Sequence, residues 1–272
     1  MKISILLPYK ENYSPSYAGA VSLFVNSVSK ESIYKKGTII YGSTNYKEKL
    51  SSNYINIPLS KEFLKSQSKE YVNKFIEIQK NIKPDIIEVH NRPIYINQLT
   101  ELKTNLVLYF HNDPISMDGS RSAKERIYLL STCEKIVFNS EWSKKQFLKN
   151  LQSFYHKSKK LVVIHQSINQ AKVNLKKKKK IISFVGKLNS AKGYDIFCNA
   201  IIRVLNKFPD WKAVVAGDEP REVISVDHKN LTNLGFQKHS KILDLFEKTS
   251  IAVACSRWEE PFGRTSLEAA SR

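Results

Sequence analysis

The chain has 272 residues, just under two domains at about 150 residues each, with 42% hydrophobic and 25% charged residues. That is enough to bury a core, and it excludes a disulfide-stapled miniprotein, a collagen-like repeat and wholesale disorder. Lys and Arg number 44 against 25 Asp and Glu, a formal charge of +19 that divides into +11 over residues 1–170 and +8 over residues 171–272, so neither half is a basic tail. The excess reads either as lysine-rich solvated surface or as attraction to polyanions such as nucleotide phosphates, anionic lipid or nucleic acid.

The opening Lys2 to Pro8 has too short an apolar run for a signal peptide and predicts a first strand. Short β-branched and aromatic runs follow at 38–41, 54–57, 86–90, 106–110, 135–138, 161–165, 181–185, 213–216, 230–234 and 251–254. Between most of them, apolar residues at three- and four-residue spacing predict helices over 21–33, 62–82, 123–133, 142–151, 195–208 and 242–248. Such alternation predicts an α/β fold with parallel sheets covered by helices on both faces. The three cysteines lie far apart in apolar stretches without metal-ligand spacing, and read as reduced residues of a cytoplasmic protein. No window approaches about 18 consecutive apolar residues.

A polar stretch runs from Gln166 into five consecutive lysines, Lys176 to Lys180, before the strand pattern restarts. Five like charges suit an exposed linker, so the predicted organisation is a first domain over 1–170, a lysine-rich linker over 171–180 and a second, short domain over 181–272. A nuclear-localisation or nucleic-acid reading of the lysine run is the weaker alternative.

Ligands of open parallel sheets collect at the carboxyl ends of strands, so the strand-to-helix turns are the places to look for chemistry. No two of the nine glycines are separated by one residue, which excludes G-x-G-x-x-G, and no Walker loop, H-E-x-x-H, G-x-S-x-G or EF-hand pattern occurs. Glu260-Pro-Phe-Gly-Arg-Thr-Ser-Leu-Glu268 follows the last strand and runs into a helix. Phe262, Gly263 and Arg264 would offer backbone N–H groups to a phosphate there, and Glu260 and Glu268 would accept hydrogen bonds from ligand hydroxyls. After the strand 181–185, Gly186 to Gly193 places Lys187 and Lys192 on a turn suited to a diphosphate.

With these motifs in register the sequence resembles the retaining nucleotide-sugar glycosyltransferases of family four (glycosyl transferases group 1), which have the GT-B architecture of two facing Rossmann-like domains. Val185-Gly186-Lys187-Leu188 with Lys192-Gly193 is similar to the family's V-G-R-L…K-G turn, with lysine at 187 where arginine is usual. Ala216 to Pro220 resembles the next glycine turn, Leu234-Gly235-Phe236 the strand end that holds the nucleobase, and Glu260/Glu268 the signature pair of glutamates. In the first half, Tyr17-Ala18-Gly19-Ala20 resembles the family's Gly-Gly loop with alanine in the first position, His111-Asn112-Asp113 matches the active-site histidine, and His90-Asn91-Arg92-Pro93 is a second histidine at a strand end.

The resemblance implies transfer of a sugar, with retention, from a nucleotide diphosphate sugar to a glycan or lipid-linked acceptor, with no cofactor or obligatory metal. It gives Lys187 and Lys192 to the leaving diphosphate, Glu260 to the sugar hydroxyls, Glu268 to the ribose and His111 to the sugar near the reacting carbon. It also implies a cytoplasmic protein, peripheral at the inner membrane face where its basic charge meets anionic lipid, and a chain that stops inside its second domain, at Arg272. The amphipathic 62–82 segment, with Lys65, Lys69, Lys74 and Lys80, is the candidate membrane surface. The competing functions are a GT-B sugar-nucleotide epimerase and a noncatalytic module binding nucleotide sugars or nucleic acid.

Overall fold

Every β-branched run of the sequence forms a strand in the computed structural model of the chain, which describes residues 1–60 and 66–272. Two units result, Met1–Gln166 and Ser167–Arg272. The first contains β1 (Ile3–Leu6), α1 (Ala20–Glu31), β2 (Thr38–Gly42), β3 (Tyr54–Asn56), α2 (Gln67–Ile82), β4 (Ile86–His90) and α3 (Ile96–Leu99). It continues with β5 (Asn105–Phe110), α4 (Ala123–Thr132), β6 (Lys135–Phe138), α5 (Glu141–Leu148) and β7 (Leu161–Val163). The second contains β8 (Lys179–Val185), α6 (Tyr194–Lys207), β9 (Lys212–Ala216), β10 (Leu231–Asn233), α7 (His239–Lys248), β11 (Thr249–Val253) and α8 (Arg264–Ala270).

The first sheet is fully parallel in the order β3-β2-β1-β4-β5-β6-β7. The chain direction across the sheet therefore reverses between β1 and β4, which opens a crevice at their carboxyl ends. Side chains alternate across the sheet: Ile5 and Leu7 enter one buried cluster with Val21, Phe24 and Val25 of α1, while Leu6 enters the other with Tyr71, Val72, Phe75 and Ile76 of α2. The three- and four-residue spacing of those α2 residues is why the helix lies flat on the sheet. Tyr71 donates its hydroxyl to the carbonyls of Leu7 (3.0 Å) and Tyr41 (3.2 Å), and Ser4 donates to Gln79 (2.6 Å). These bonds pin α2 at both ends.

The helix expected over 62–82 begins, within the described residues, at Gln67 after its N-cap Ser66; residues 61–65, with Lys65 among them, lie outside the described residues. On its solvent side Lys74 pairs with Glu70 at 2.8 Å and Lys80 with Glu101 at 2.5 Å. Half of the four lysines named for a membrane surface are thus already neutralised by acids of the same unit.

The second sheet, also parallel, has the order β10-β9-β8-β11. Its core gathers Ile182, Phe184, Phe197, Ile201, Leu205 and Val215. The expectation of a linker over 171–180 is corrected here. The division falls at Gln166/Ser167, and Lys179 and Lys180 are the first residues of β8, since Lys179 stands in register with Thr249 of β11. Backbone pairing outweighs the charge because the lysine side chains point away: Lys178 donates to the Phe246 carbonyl at 2.8 Å and Lys180 pairs with Asp210. Among the described residues no helix is long and apolar enough to cross a membrane.

Candidate functional site

In the first unit the polar residues gather where β1, β4 and β5 end. His90 closes β4 and His111 follows β5, and these strands are neighbours with His90 opposite Tyr109. His90 Nδ1 lies 2.8 Å from His111 Nε2, His90 Nε2 lies 2.6 Å from a Glu88 carboxylate oxygen, and His111 Nδ1 lies 3.1 Å from Gln166 Nε2. A carboxylate can only accept, so His90 carries its proton on Nε2. Its bare Nδ1 then accepts from His111 Nε2–H, and His111 Nδ1 accepts from the Gln166 amide. Both rings are buried, stacked on Tyr109 with centroids at 5.3 and 4.7 Å, and Phe24 stands edge-on to His111 at 5.0 Å.

Asn91 joins the two strand ends. It takes the left-handed conformation (φ 56°), which asparagine tolerates, and its side-chain oxygen accepts from the backbone N–H groups of His111 (3.0 Å) and Asn112 (3.2 Å). Gly19 is the N-cap of α1, and the carboxylate of Glu11 lies against it: a Cβ at position 19 would sit 2.0 Å from Glu11 Oε1. That same oxygen accepts from Ser22 N–H at 2.9 Å in the first turn of α1. The amino end of α1 is therefore filled by a protein carboxylate. Burial pushes the Glu11 carboxyl above its ordinary range, against the opposing pull of the Ser22 hydrogen bonds and the charge of Arg92.

In the second unit β8 and β11 are adjacent, so the loops that leave their carboxyl ends meet. Gly193, at φ 72°, ends the first of these loops, and a Cβ there would stand 2.0 Å from the Cys255 carbonyl oxygen of the second. Only glycine permits both the conformation and the approach. Arg257 reinforces the junction: its backbone N–H donates to Ala191 (2.9 Å), and its guanidinium reaches Ser190 (2.8 Å) and both oxygens of Asp195 (2.5 and 2.7 Å).

The consequence is that Lys192 and Glu260 form an ion pair, with Ser256 donating to the same carboxylate oxygen at 2.7 Å and the Lys192 ammonium 5.2 Å from the centre of the Trp258 ring. Burial would raise the Glu260 carboxyl, but Lys192 and Ser256 outweigh it and hold it below its ordinary value. Glu268, buried in α8, accepts from His239 Nε2 at 2.9 Å and from Arg264 Nε at 2.8 Å; here too burial is outweighed by these partners and the carboxyl is lowered. The two glutamates share no partner.

Gly263 is the N-cap of α8, directly after Phe262, and Arg264 Nη1 is buried without a hydrogen-bond partner. Gly186 and Gly217 approach closely at the ends of β8 and β9, and Gly217 N–H donates to Gly235 O at 2.9 Å, which brings Gly235 and the half-exposed Phe236 to the same carboxyl edge. Lys187 lies on the β8 loop, near enough for its charge to act on Glu219.

The structure thus gathers His90 and His111 in one unit beside Gly19, and Lys187, Lys192, Glu260 and the residues from Gly186 to Glu268 along the strand ends of the other. Sequence reasoning missed Glu11, Glu88, Gln166 and His239. Glu88 and His90 are two positions apart on a strand, hence on one face, a signal that was present. Gln166, His239 and Glu11 reach their partners only through tertiary packing.

Residues 165–272 match the family described as Glycosyl transferases group 1. Over 218 residues the chain is 24% identical to a putative glycosyltransferase of Bacillus subtilis, YtcC, covering 68% of this chain and 53% of that protein. It is 33% identical over 101 residues to the lipopolysaccharide core biosynthesis mannosyltransferase LpsB of Rhizobium meliloti, covering 34% of this chain and 28% of that one. The chain spans about half the length of the Bacillus relative. Among solved structures, Anabaena HepE in complex with UDP and glucose superposes with a TM-score of 0.71 at 16% identity, covering 100% of this chain and 78% of that chain. Sucrose-phosphate synthase of Thermosynechococcus elongatus gives 0.64 at 14% identity, covering 99% and 79%. The α/β architecture of two parallel sheets is that of the GT-B glycosyltransferases.

Proposed function

We propose that the chain is a glycosyltransferase that moves a sugar from a nucleotide diphosphate sugar to a glycan or lipid-linked acceptor with retention at the anomeric carbon. The observation that carries this reading is the Lys192/Glu260 pair, which the adjacency of β8 and β11 assembles at a carboxyl strand edge from residues 68 positions apart. In the transfer the bond between C1 and the diphosphate oxygen breaks, an acceptor hydroxyl oxygen bonds to C1, and the hydroxyl proton is released. Negative charge develops on the leaving diphosphate. Lys192 and Lys187, both on the loop after β8, are assigned to meet that charge, and fixed cations at such a site stabilise it without reorganisation.

Glu260, relieved of Lys192 by the diphosphate, is then a carboxylate ready to accept from sugar hydroxyls. Glu268, held by His239 and Arg264, is oriented for the ribose hydroxyls, and the buried unpartnered Nη1 of Arg264 suits an anion beside them. Gly235 and Phe236 border the nucleobase in this reading, with Gly186 and the Phe262-Gly263 amides on the phosphates. In this reading His111, its tautomer set through His90, is assigned to the sugar, and Gly19 to the acceptor. No metal or cofactor has a role. The complex of HepE with UDP and glucose makes UDP the first nucleotide to try.

The test is incubation of the full chain with radiolabelled UDP-sugars and a panel of glycan and lipid-linked acceptors, followed by NMR of the product. Acceptor-dependent release of UDP with the donor's anomeric configuration kept in the product is expected. Release without acceptor consumption points to the epimerase reading. Binding without turnover, with every donor and acceptor tried, leaves the noncatalytic module in its place.

A further inference from the structure

The crevice between β1 and β4 opens into a cavity of about 710 Å³, within the range of roughly 300–1,000 Å³ typical of small-molecule sites. Its walls come from the loops that follow β1, β4 and β5 and from the start of α2. Asn91 and Asn112, which immediately follow the paired histidines, are part of that wall. A ligand in the cavity is therefore at the carboxyl edge beside His90 and His111, where a doubly wound sheet collects its ligands.

The charge of the lining is one-sided. Lys69, Arg92 and Arg121 face a single acid, Asp118, and Arg121 takes that acid up at 3.0 Å. Among the described residues neither Lys69 nor Arg92 forms a close ion pair, and the charge of Arg92 is felt at longer range by the buried Glu11. Arg92 spends one N–H on the Asn91 carbonyl at 2.7 Å, and the guanidinium has five. The remaining donors are free for a planar or tetrahedral anion, and a nearby ammonium adds a point charge. The rest of the wall is rich in amide and hydroxyl groups, with Tyr9, Tyr95 and Gln98 among them, which suits a polyhydroxylated body attached to that anion.

We propose that this cavity is the acceptor subsite and that it takes a sugar bearing a phosphate or a carboxylate, with the anion on Arg92 and Lys69. The proposal rests on the glycosyltransferase reading and adds the class of acceptor to it.

Calorimetric titration of the full chain with glucose 6-phosphate, glucuronate, glucose and inorganic phosphate tests it. Charge-assisted hydrogen bonds of this kind predict that one of the two anionic sugars binds roughly tenfold or more tighter than glucose, and the tighter of the two identifies the anion. Arg92→Gln and Lys69→Gln should each remove most of that preference, and Arg92→Lys should retain part of it, which separates lost charge from lost packing. UDP binding should stay within twofold of the parent in all three variants. Equal binding of charged and neutral sugars, a preference that survives both glutamine variants, or inorganic phosphate binding as tightly as glucose 6-phosphate overturns the proposal. Anionic-sugar binding in a chain that binds no nucleotide sugar would instead fault the glycosyltransferase reading and leave the anionic-sugar site standing.

Discussion

His90 presents Nδ1 to His111 Nε2 at 2.8 Å while its other nitrogen is held by Glu88 at 2.6 Å, so one carboxylate fixes the proton positions of two buried rings. A glutamine at 88 could either accept from or donate to His90, and the direction of the chain would no longer be set. Glu88→Gln should therefore lower kcat by roughly tenfold, the equivalent of about 1.4 kcal/mol, with KM for the donor unchanged. His90→Ala should additionally cost about 1–3 kcal/mol of stability, because it leaves His111 Nε2 buried without its partner. Long-range nitrogen–proton NMR spectra report the tautomer directly: His111 protonated on Nε2 in the parent, and a mixture of tautomers in Glu88→Gln. A parent spectrum showing His111 protonated on Nδ1 would refute the arrangement.

The strands and the longer helices were legible because period-two and period-3.6 patterns are local and each run is bounded by polar residues. The start of the helix Arg264–Ala270 was legible from the segment Glu260 to Glu268 that follows the last strand. The lysine run misled, since charge argues against burial but not against strand pairing when side chains such as Lys179 face solvent. The candidate site was legible where its residues sit at strand ends or on the loops that leave them, as at His90, His111, Lys192 and Glu260. It was illegible where a partner comes from a distant element: His239 meets Glu268 across 29 positions and Glu11 meets Ser22 by a loop folding back on α1. Nothing in either local sequence specifies the encounter.

Lys192→Ala removes the cation paired with Glu260 in the free protein and assigned to the diphosphate in the loaded one. The pair is partly exposed, so its loss should cost about 1 kcal/mol of stability or less. The contact to a charged leaving group is worth about 1.5–3 kcal/mol, which corresponds to a roughly 10- to 150-fold fall in kcat/KM. Steady-state rates set beside thermal midpoints separate the two effects. A fall in midpoint large enough to account for the whole loss of rate would remove Lys192 from the transfer step.

Glu260 and Glu268 have separate partners, and their substitutions should separate too. Glu260→Gln is expected to weaken UDP-sugar binding roughly tenfold while free UDP binds almost as before, because the sugar hydroxyls lose a charged acceptor and the nucleotide does not. Glu268→Gln is expected to weaken both ligands by a similar factor, and it also releases Arg264 and His239 from a shared acceptor. Titration of both variants with UDP and with UDP-sugar decides. Parallel losses for the two ligands in Glu260→Gln would show that this glutamate does not address the sugar.

Glu11 sets a pH dependence of stability whose sign follows from its burial against α1. Its folded-state carboxyl is raised above the ordinary value of 4.5, chiefly by desolvation. Between that value and the raised one the folded chain binds more protons than the unfolded chain, so this group favours folding at low pH and its contribution is lost as pH rises through the folded value. Once ionised, the carboxylate is met by Ser22 N–H, the α1 dipole and the charge of Arg92. Glu11→Gln keeps an oxygen for Ser22 and removes the buried charge. The expected outcome is a variant whose stability relative to the parent improves on going from pH 4.5 to pH 8, read as the difference between urea midpoints at the two values. A difference that shrinks or changes sign in the opposite direction would mean that the α1 terminus stabilises the charge by more than burial costs it.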